Sequence, residues 1–233
     1  MKGVKKTELK DRILDTSVKL FEKHGFHGVS VNDIVQASET SKGGFYHHFQ
    51  SKEELLFSIH DTFISYVLHK AKEAIHHYQT PPEKLQQIIY SFTKVFDLYQ
   101  PHISVFYQES KYLKPELEST IKQKRDDFRL LIYEVIKEGQ DSGDFRKEIP
   151  HDISGLAILG IVNWTSKWYQ RSGPLSMDQI SVYFTDFIMQ GLLTETAKKQ
   201  YSHFFTDHVK RLHTQDRPTS RSLNKEQEDE HEL

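Results

Sequence analysis

Apolar residues recur every three to four positions through most of this chain, the signature of helices with one buried face. Ile13, Ser17, Leu20 and Phe21 share a face of a first helix that Gly25 is placed to end. Ser30, with Asp33 three residues on, reads as the N-cap of a short second helix bearing Val31, Ile34, Val35 and Ser38. A third begins near Ser41 and carries Phe45 and Phe49 at i and i+4. Ser51-Lys52-Glu53-Glu54 then reads as a capping box opening a long helix with Leu55, Ile59, Phe63 and Val67 on one face. It runs to Gln79, before Thr80-Pro81-Pro82, and spans roughly 42 Å at about 1.5 Å per residue. Such a helix can join two units.

The same signals continue beyond it. Leu85, Ile88, Ile89, Phe92, Phe96 and Tyr99 define a fifth helix, broken at Pro101. Ile103, Phe106 and Tyr107 make a short sixth, and Leu117 to Val135 a seventh that Ser142-Gly143 closes. The eighth, from Asp152 to about Ser172, is apolar on most sides from Leu156 to Val162 and is expected to be buried on most sides. Ile180, Phe184, Phe187 and Ile188 mark a ninth. Thr194 to Leu212 reads as a tenth, with Tyr201, Phe204, Phe205 and Val209. No strand alternation competes, so the expected fold class is all-α. The polar tail from about Gln215 is expected to be disordered.

Composition narrows the chemistry. The 233 residues include no cysteine, which excludes a disulfide scaffold, a thiolate metal site and a cysteine nucleophile. No apolar run approaches the roughly 18 residues of a membrane span, and MKGVKKTELK has no apolar stretch of a secretory signal. A cytoplasmic protein without a membrane partner is expected. The 14 histidines raise a metal hypothesis. Yet Glu73-Ala-Ile-His76 is a single E-x-x-H where a di-iron bundle needs two. His203, His208 and His213 lie at i+5 steps and do not share a helix face. Without a nucleophile elbow, phosphate loop or dinucleotide fingerprint, no enzyme, metal site or cofactor is expected.

Residues 30–49 carry the sharper signal. Two short helices joined tightly and followed by a long capped one are the grammar of a helix-turn-helix, whose second helix enters the DNA major groove. Phe45 and Phe49 take the inner face, leaving Lys42, Gly43, Gly44, Tyr46 and His47 outward. Two glycines cost roughly 1 kcal/mol each in a helix, so both are expected to permit close approach of a phosphate or base edge. Tyr46 can donate to a phosphate, and the helix start at Ser41-Lys42 attracts one.

Ile13-Leu-Asp-Thr-Ser-Val-Lys-Leu-Phe21, Gly25-Phe26, Ser30-Val31, Asp33-Ile34, Ser41-Lys-Gly-Gly-Phe-Tyr-His-His-Phe49 and Ser51-Lys52-Glu53-Glu54-Leu55 together closely resemble the TetR family of bacterial transcriptional regulators. The resemblance implies a helix-turn-helix domain over residues 7–67 and a helical ligand-binding and dimerisation domain over 68–212, before an acidic tail, 213–233. It implies a homodimeric repressor on a palindromic double-stranded DNA operator, released by a small-molecule effector. The DNA-facing set expected from it is Ser30, Thr40, Ser41, Lys42, Gly43, Gly44, Tyr46, His47 and Lys52. Two positions depart from the family pattern. Gly44 replaces a Thr or Ser that often touches the operator, and Glu39 stands where glycine usually makes the turn.

For the effector, Asn163-Trp164-Thr-Ser-Lys-Trp168 reads either as a core and dimer-interface stripe or as a pocket wall. Opposing walls would come from Tyr99, His102, Phe106, Tyr107, Tyr112 and Phe128. This half is similar to TetR-type regulators answering to acyl-CoA thioesters of fatty-acid, sterol or aromatic degradation. That likeness makes Lys111, Lys114, Lys122, Lys124, Arg125 and Arg129 candidates for CoA phosphates. A lipophilic cation or drug held by aromatic rings is the competing ligand, and an all-α metal-handling or interaction protein without DNA the competing class.

The total charge, 31 basic residues against 33 acidic, taken alone argues against DNA. Five of those acids, however, lie in the last eight residues (Glu226, Glu228, Asp229, Glu230 and Glu232), and residues 1–52 hold nine basic against six acidic. A modestly basic head and an acidic tail average to the small total.

Overall fold

A computed structural model describes residues 2–202 and 204–205. Those residues form α-helices joined by short turns, without a strand among them; Phe145 and Leu193 make an isolated antiparallel bridge. The all-α class is thus observed. The expected tail, and the part of the tenth helix that includes Val209, lie outside the described residues, as do His203, His208 and His213.

Helices α1 (Lys2–His24), α2 (Val31–Ala37) and α3 (Lys42–His48) form the N-terminal unit. Each boundary has a local cause. Gly25, at φ +70°, ends α1, and its N–H donates to Phe21 O at 2.8 Å. The Ser30 hydroxyl accepts from the Asp33 N–H at 3.2 Å while the Ser30 N–H donates to Asp33 Oδ2 at 2.7 Å, completing a capping box. Ser41 and Ser51 cap α3 and α4 (Lys52–His77) through their hydroxyls alone, accepting from Gly44 N–H at 3.0 Å and Glu54 N–H at 3.2 Å. The expected box at Ser51 is not closed, because the Glu54 carboxylate accepts from Gln50 N–H instead. Ile13, Phe21, Ile34, Phe45 and Phe49 are buried together with Leu55, Leu56 and Ile59 from the start of α4. The turn between α2 and α3 places Glu39 at φ +49°, a left-handed conformation that costs a non-glycine residue roughly 1–2 kcal/mol. Arg12 Nε fastens that turn to α1 by donating to Ser38 O at 2.9 Å.

The second unit packs α5 (Pro81–Leu98), α6 (Gln100–Glu109), α7 (Pro115–Ser142), α8 (His151–Trp168) and α9 (Met177–Leu192) around the distal part of α4. A 3-10 turn, Ser110–Tyr112, follows α6. The Lys84–Glu138 ion pair (2.7 Å) and the Phe92–Phe128 ring contact (5.0 Å) set α5 antiparallel to α7. At Gly155 the α7–α8 approach is so close that a Cβ would stand 2.5 Å from the Tyr133 ring.

Three helix ends differ from expectation. α4 stops at His77, because Tyr78 to Thr80 must extend to cap and enter the Pro81-Pro82 start of α5. α8 stops at Trp168 rather than near Ser172, where Arg171 turns to α5 and donates through Nε to Asp97 Oδ1 at 3.1 Å. α10 covers only Glu195–Gln200, after which Tyr201 folds back to stack on Phe204 (5.4 Å).

The eighth helix brings the largest correction. Its apolar run is not buried on most sides of the chain: Ile153, Leu156, Trp164 and Trp168 are exposed along one face, Trp164 by 64%. Beside them on α9 stands Phe187, 70% exposed.

Candidate functional site

α3 turns Phe45 and Phe49 fully inward and keeps Lys42, Gly43, Tyr46 and His47 on its outer face. Tyr46, at 53% exposure, is an aromatic ring held in solvent at the middle of a helix too short to need it for packing. Ser41 and Ser30 lie exposed at the starts of α3 and α2. Around Gly43 a Cβ would find only Ser41 Oγ, at 3.7 Å, so the backbone there is open to an approaching group.

Gly44, Thr40 and Lys52 turn elsewhere. A Cβ on Gly44 would collide with Thr40 Oγ1, so this glycine makes room within the motif rather than for a phosphate or base. Thr40 is correspondingly half-buried against it. Lys52 donates through Nζ to Phe26 O (2.7 Å) and Val29 O (2.6 Å) and sits 4.2 Å from the Phe26 ring centre. Its ammonium thereby holds the α1–α2 loop, and burial lowers its pKa from the usual lysine value. The Asp33 carboxyl, held below the usual carboxylate range by the Ser30 hydroxyl and amide, adds fixed negative charge near the start of α2.

A cavity of about 290 Å³, open to solvent on one side, lies between α4, α5, α6, α7 and α8. Phe63 and Ile64 from α4, Phe92 from α5 and Phe106, Tyr107 and Phe128 supply its aromatic and apolar wall. Tyr107 donates to Asn163 Oδ1 at 2.9 Å, which gives the polar residue of α8 its partner. Lys122 and Arg125 are exposed at the rim, with Arg129 bonded to Asp126 at 2.9 Å beside them.

Four of the nine expected ligand residues therefore meet here: Phe106, Tyr107, Phe128 and Asn163. The other five do not. Tyr112 stacks on Phe26 (5.7 Å) and meets His27 edge-on (4.2 Å), joining the two units instead of walling the cavity. Tyr99 packs between Tyr66 (5.3 Å) and His102 (5.5 Å), so that pair belongs to the α4–α6 contact. Trp164 and Trp168 point outward from α8, one helix step from the inward Asn163. Of the six cations, Lys122, Arg125 and Arg129 reach the cavity. Lys124 is bonded to Asp61 and Ser65, Lys111 lies over the Tyr112 ring, and Lys114 stands exposed at the start of α7 outside the cavity lining.

Comparison with known proteins resolves what this pair of features belongs to. A model of the tetR family of bacterial regulatory proteins matches residues 13–59, and a tetracyclin repressor-like C-terminal domain model matches residues 78–192. The regulator QacR of Staphylococcus aureus is 31% identical over 163 residues, covering 67% of this chain and 86% of that one. The chain belongs to the TetR family.

Other similar proteins extend the match across the TetR-type C-terminal domain. The transcriptional repressor KstR2 of Mycolicibacterium smegmatis is 22% identical over 193 residues, covering 82% of this chain and 93% of that one. The solved structure of AibR with isovaleryl coenzyme A and operator DNA has a TM-score of 0.67 at 22% identity, covering 77% of this chain and 97% of that one. The protein is accordingly a transcriptional regulator and not an enzyme. Among its described residues no helix is long and apolar enough to cross a membrane.

One buried residue beside the cavity had no counterpart among the expected ones. His60 on α4 is fully buried, and its ring lies 4.9 Å from that of Phe106. It interrupts the apolar face of α4 by a single position, a signal in the sequence that the aromatic residues of α6 and α8 overshadowed. Burial, aided by the Arg125 charge, pulls its pKa down to about 4. The unfolded chain protonates near 6.5 while the folded protein stays neutral there. Stability is therefore full above that pH and is lost as the pH falls towards 4, by roughly 3 kcal/mol at most. Urea unfolding of wild type and His60→Gln between pH 7 and pH 4 is expected to show a shallower loss in the variant. Parallel curves would show that His60 does not carry this term.

Proposed function

We propose that this TetR-family regulator is a repressor that binds a palindromic operator as a homodimer and releases it when an acyl-CoA enters the cavity. The observation that carries the reading is the cavity itself, an aromatic interior with Lys122, Arg125 and Arg129 at its rim. Its volume falls just below the roughly 300–1,000 Å³ of pockets that enclose a drug-sized ligand. It suits an acyl body, with the charged nucleotide left at the cationic rim. The acyl-CoA in the AibR structure supports the same ligand class for a TetR protein of this fold. A lipophilic cation, by contrast, would meet Lys122 and Arg125 where it enters, with the Asp126 carboxylate already paired to Arg129.

The homodimer would form through the outer strip of α8 and α9, where Trp164 and Phe187 stand in solvent. Two copies present two α3 helices, and a palindromic site requires them roughly 34–36 Å apart. The effector weakens DNA binding only by favouring the arrangement in which that spacing is wrong.

Three measurements test this. On a fragment of the gene's own upstream region, a sequence-specific complex with a steep salt dependence is expected. Lys42→Ala and Tyr46→Ala should each weaken it by about tenfold or more while leaving the dimer intact. Normal operator binding by both variants would place the reading surface elsewhere. Phe187→Arg is expected to sediment as a folded monomer with much lower operator affinity, and an intact dimer would dismiss the α8–α9 interface. In a thermal-shift panel, medium-chain acyl-CoA thioesters should raise the melting temperature and release DNA while the free acids do neither. A panel in which no thioester acts would remove the effector class without touching the DNA reading.

A further inference from the structure

Among the described residues, the buried side-chain atoms without a hydrogen-bond partner are both ring nitrogens of His60 and the hydroxyls of Ser154 and Thr165. The hydroxyls sit on helices, where a turn of χ1 lets each donate to the carbonyl four residues back. An imidazole has polar atoms on two edges of a rigid ring, and the helix backbone can serve only one of them. A neutral imidazole offers one donor and one acceptor, and leaving such groups unpaired in a core costs roughly 1–3 kcal/mol. A residue kept at that cost calls for an explanation.

Its position supplies one. His60 precedes Phe63 and Ile64 by one turn of α4 and so shares their face, which walls the cavity. The ring of Phe106, another wall residue, stands 4.9 Å from it. The rim residues Lys122 and Arg125 are exposed, whereas His60, Phe63, Ile64 and Phe106 are buried. The cavity thus has a charged outer end and an apolar middle, and one unsatisfied imidazole stands behind its Phe106 wall without itself lining it. We propose that His60 is the recognition group behind this cavity, reached when the Phe106 ring turns aside, and that it hydrogen-bonds an oxygen, carbonyl or hydroxyl, carried on the apolar body of the effector. The ligand class narrows accordingly, from any acyl chain to an oxygenated acyl body with its charge at the opposite end. A site built around such a polar group discriminates against the analogue lacking it, because the imidazole is then left unpaired.

This inference rests on the cavity being the effector site, but its test needs no thioester. Acetophenone and ethylbenzene are nearly isosteric and differ by one carbonyl oxygen, and both are small enough for the cavity. Their affinities are measured by calorimetry on the full chain for wild type, His60→Phe, His60→Leu and His60→Gln. The ratio favouring acetophenone is expected to fall at least about fivefold in His60→Phe and His60→Leu. It should stay within about twofold of wild type in His60→Gln, whose amide keeps a donor and an acceptor. His60→Phe without ligand should melt at or above the wild-type temperature, since an unpaired polar group has been removed.

A ratio unchanged in both apolar variants overturns the role of His60, whatever the thioesters do. Should the ratio shift as expected while no acyl-CoA moves the melting temperature, the acyl-CoA effector alone falls. If the wild type binds neither probe, the cavity is not an organic-ligand site and both proposals fall.

Discussion

The structure depends on one helix belonging to two cores. α4 contributes Leu55, Leu56 and Ile59 to the packing around α1–α3, and Phe63, Ile64, Val67 and Leu68 to the packing of α5–α7. Its length, roughly 39 Å at 1.5 Å per residue, carries both without a break. A helix without a proline or glycine hinge cannot bend at the boundary without breaking backbone hydrogen bonds. Any change in how the distal core packs against α4 is therefore transmitted to the reading head as rotation or translation of a rigid rod. Lys52 makes the head follow it, because its ammonium ties the first turn of α4 to the loop that positions α2.

α6 makes a second connection. Phe106 and Tyr107 face the cavity, while a few residues further Tyr112 stacks on Phe26 in the head. His102, whose imidazole burial holds neutral against the pull of Asp15 on α1, lies along the same contact. A ligand that displaces Phe106 thus acts on both α4 and the α6–α1 contact. The two attachments meet at Phe26, whose ring lies against both Lys52 and Tyr112, so a movement of either α4 or the α6 end reaches the same point of the head. Packed interiors are poorly compressible, so such a movement is passed on rather than absorbed.

The reading head was legible in the sequence because its signals are local. Ser30, Ser41 and Ser51 each cap a helix that begins at the next residue, and Phe45 and Phe49 need only helical spacing to share a face. The cavity was not legible to the same degree, because it depends on which face of each later helix turns inward after packing. On α8 one residue decides the matter: Asn163 faces the cavity and Trp164 faces solvent, about 100° further round the helix. The large aromatic residues looked like walls, yet the wall is made by Phe106 and Phe128, and the tryptophans stand outside. Gly44 shows the same limit at smaller scale. Two adjacent glycines suggested one purpose, but Thr40 occupies the space beside one and nothing crowds the other.

The electrostatics of the head bear on what the proposed homodimer would contribute. The outer face of α3 carries one lysine and one histidine, while Asp33 remains ionised nearby and Glu39 is exposed in the turn. Lys52 is turned inward and adds little at the surface. With so few cations per head, the counterion release that drives non-specific DNA binding is small. Binding by one head is then weak and sensitive to salt. In the proposed dimer, two heads held at a fixed separation would make the second contact intramolecular, with an effective concentration set by the rigidity of α4 and of the paired distal units. The same weakness makes the arrangement switchable. A head that bound DNA tightly alone would tolerate misplacement of its partner, whereas a weak one loses the complex when the spacing shifts by a few ångströms.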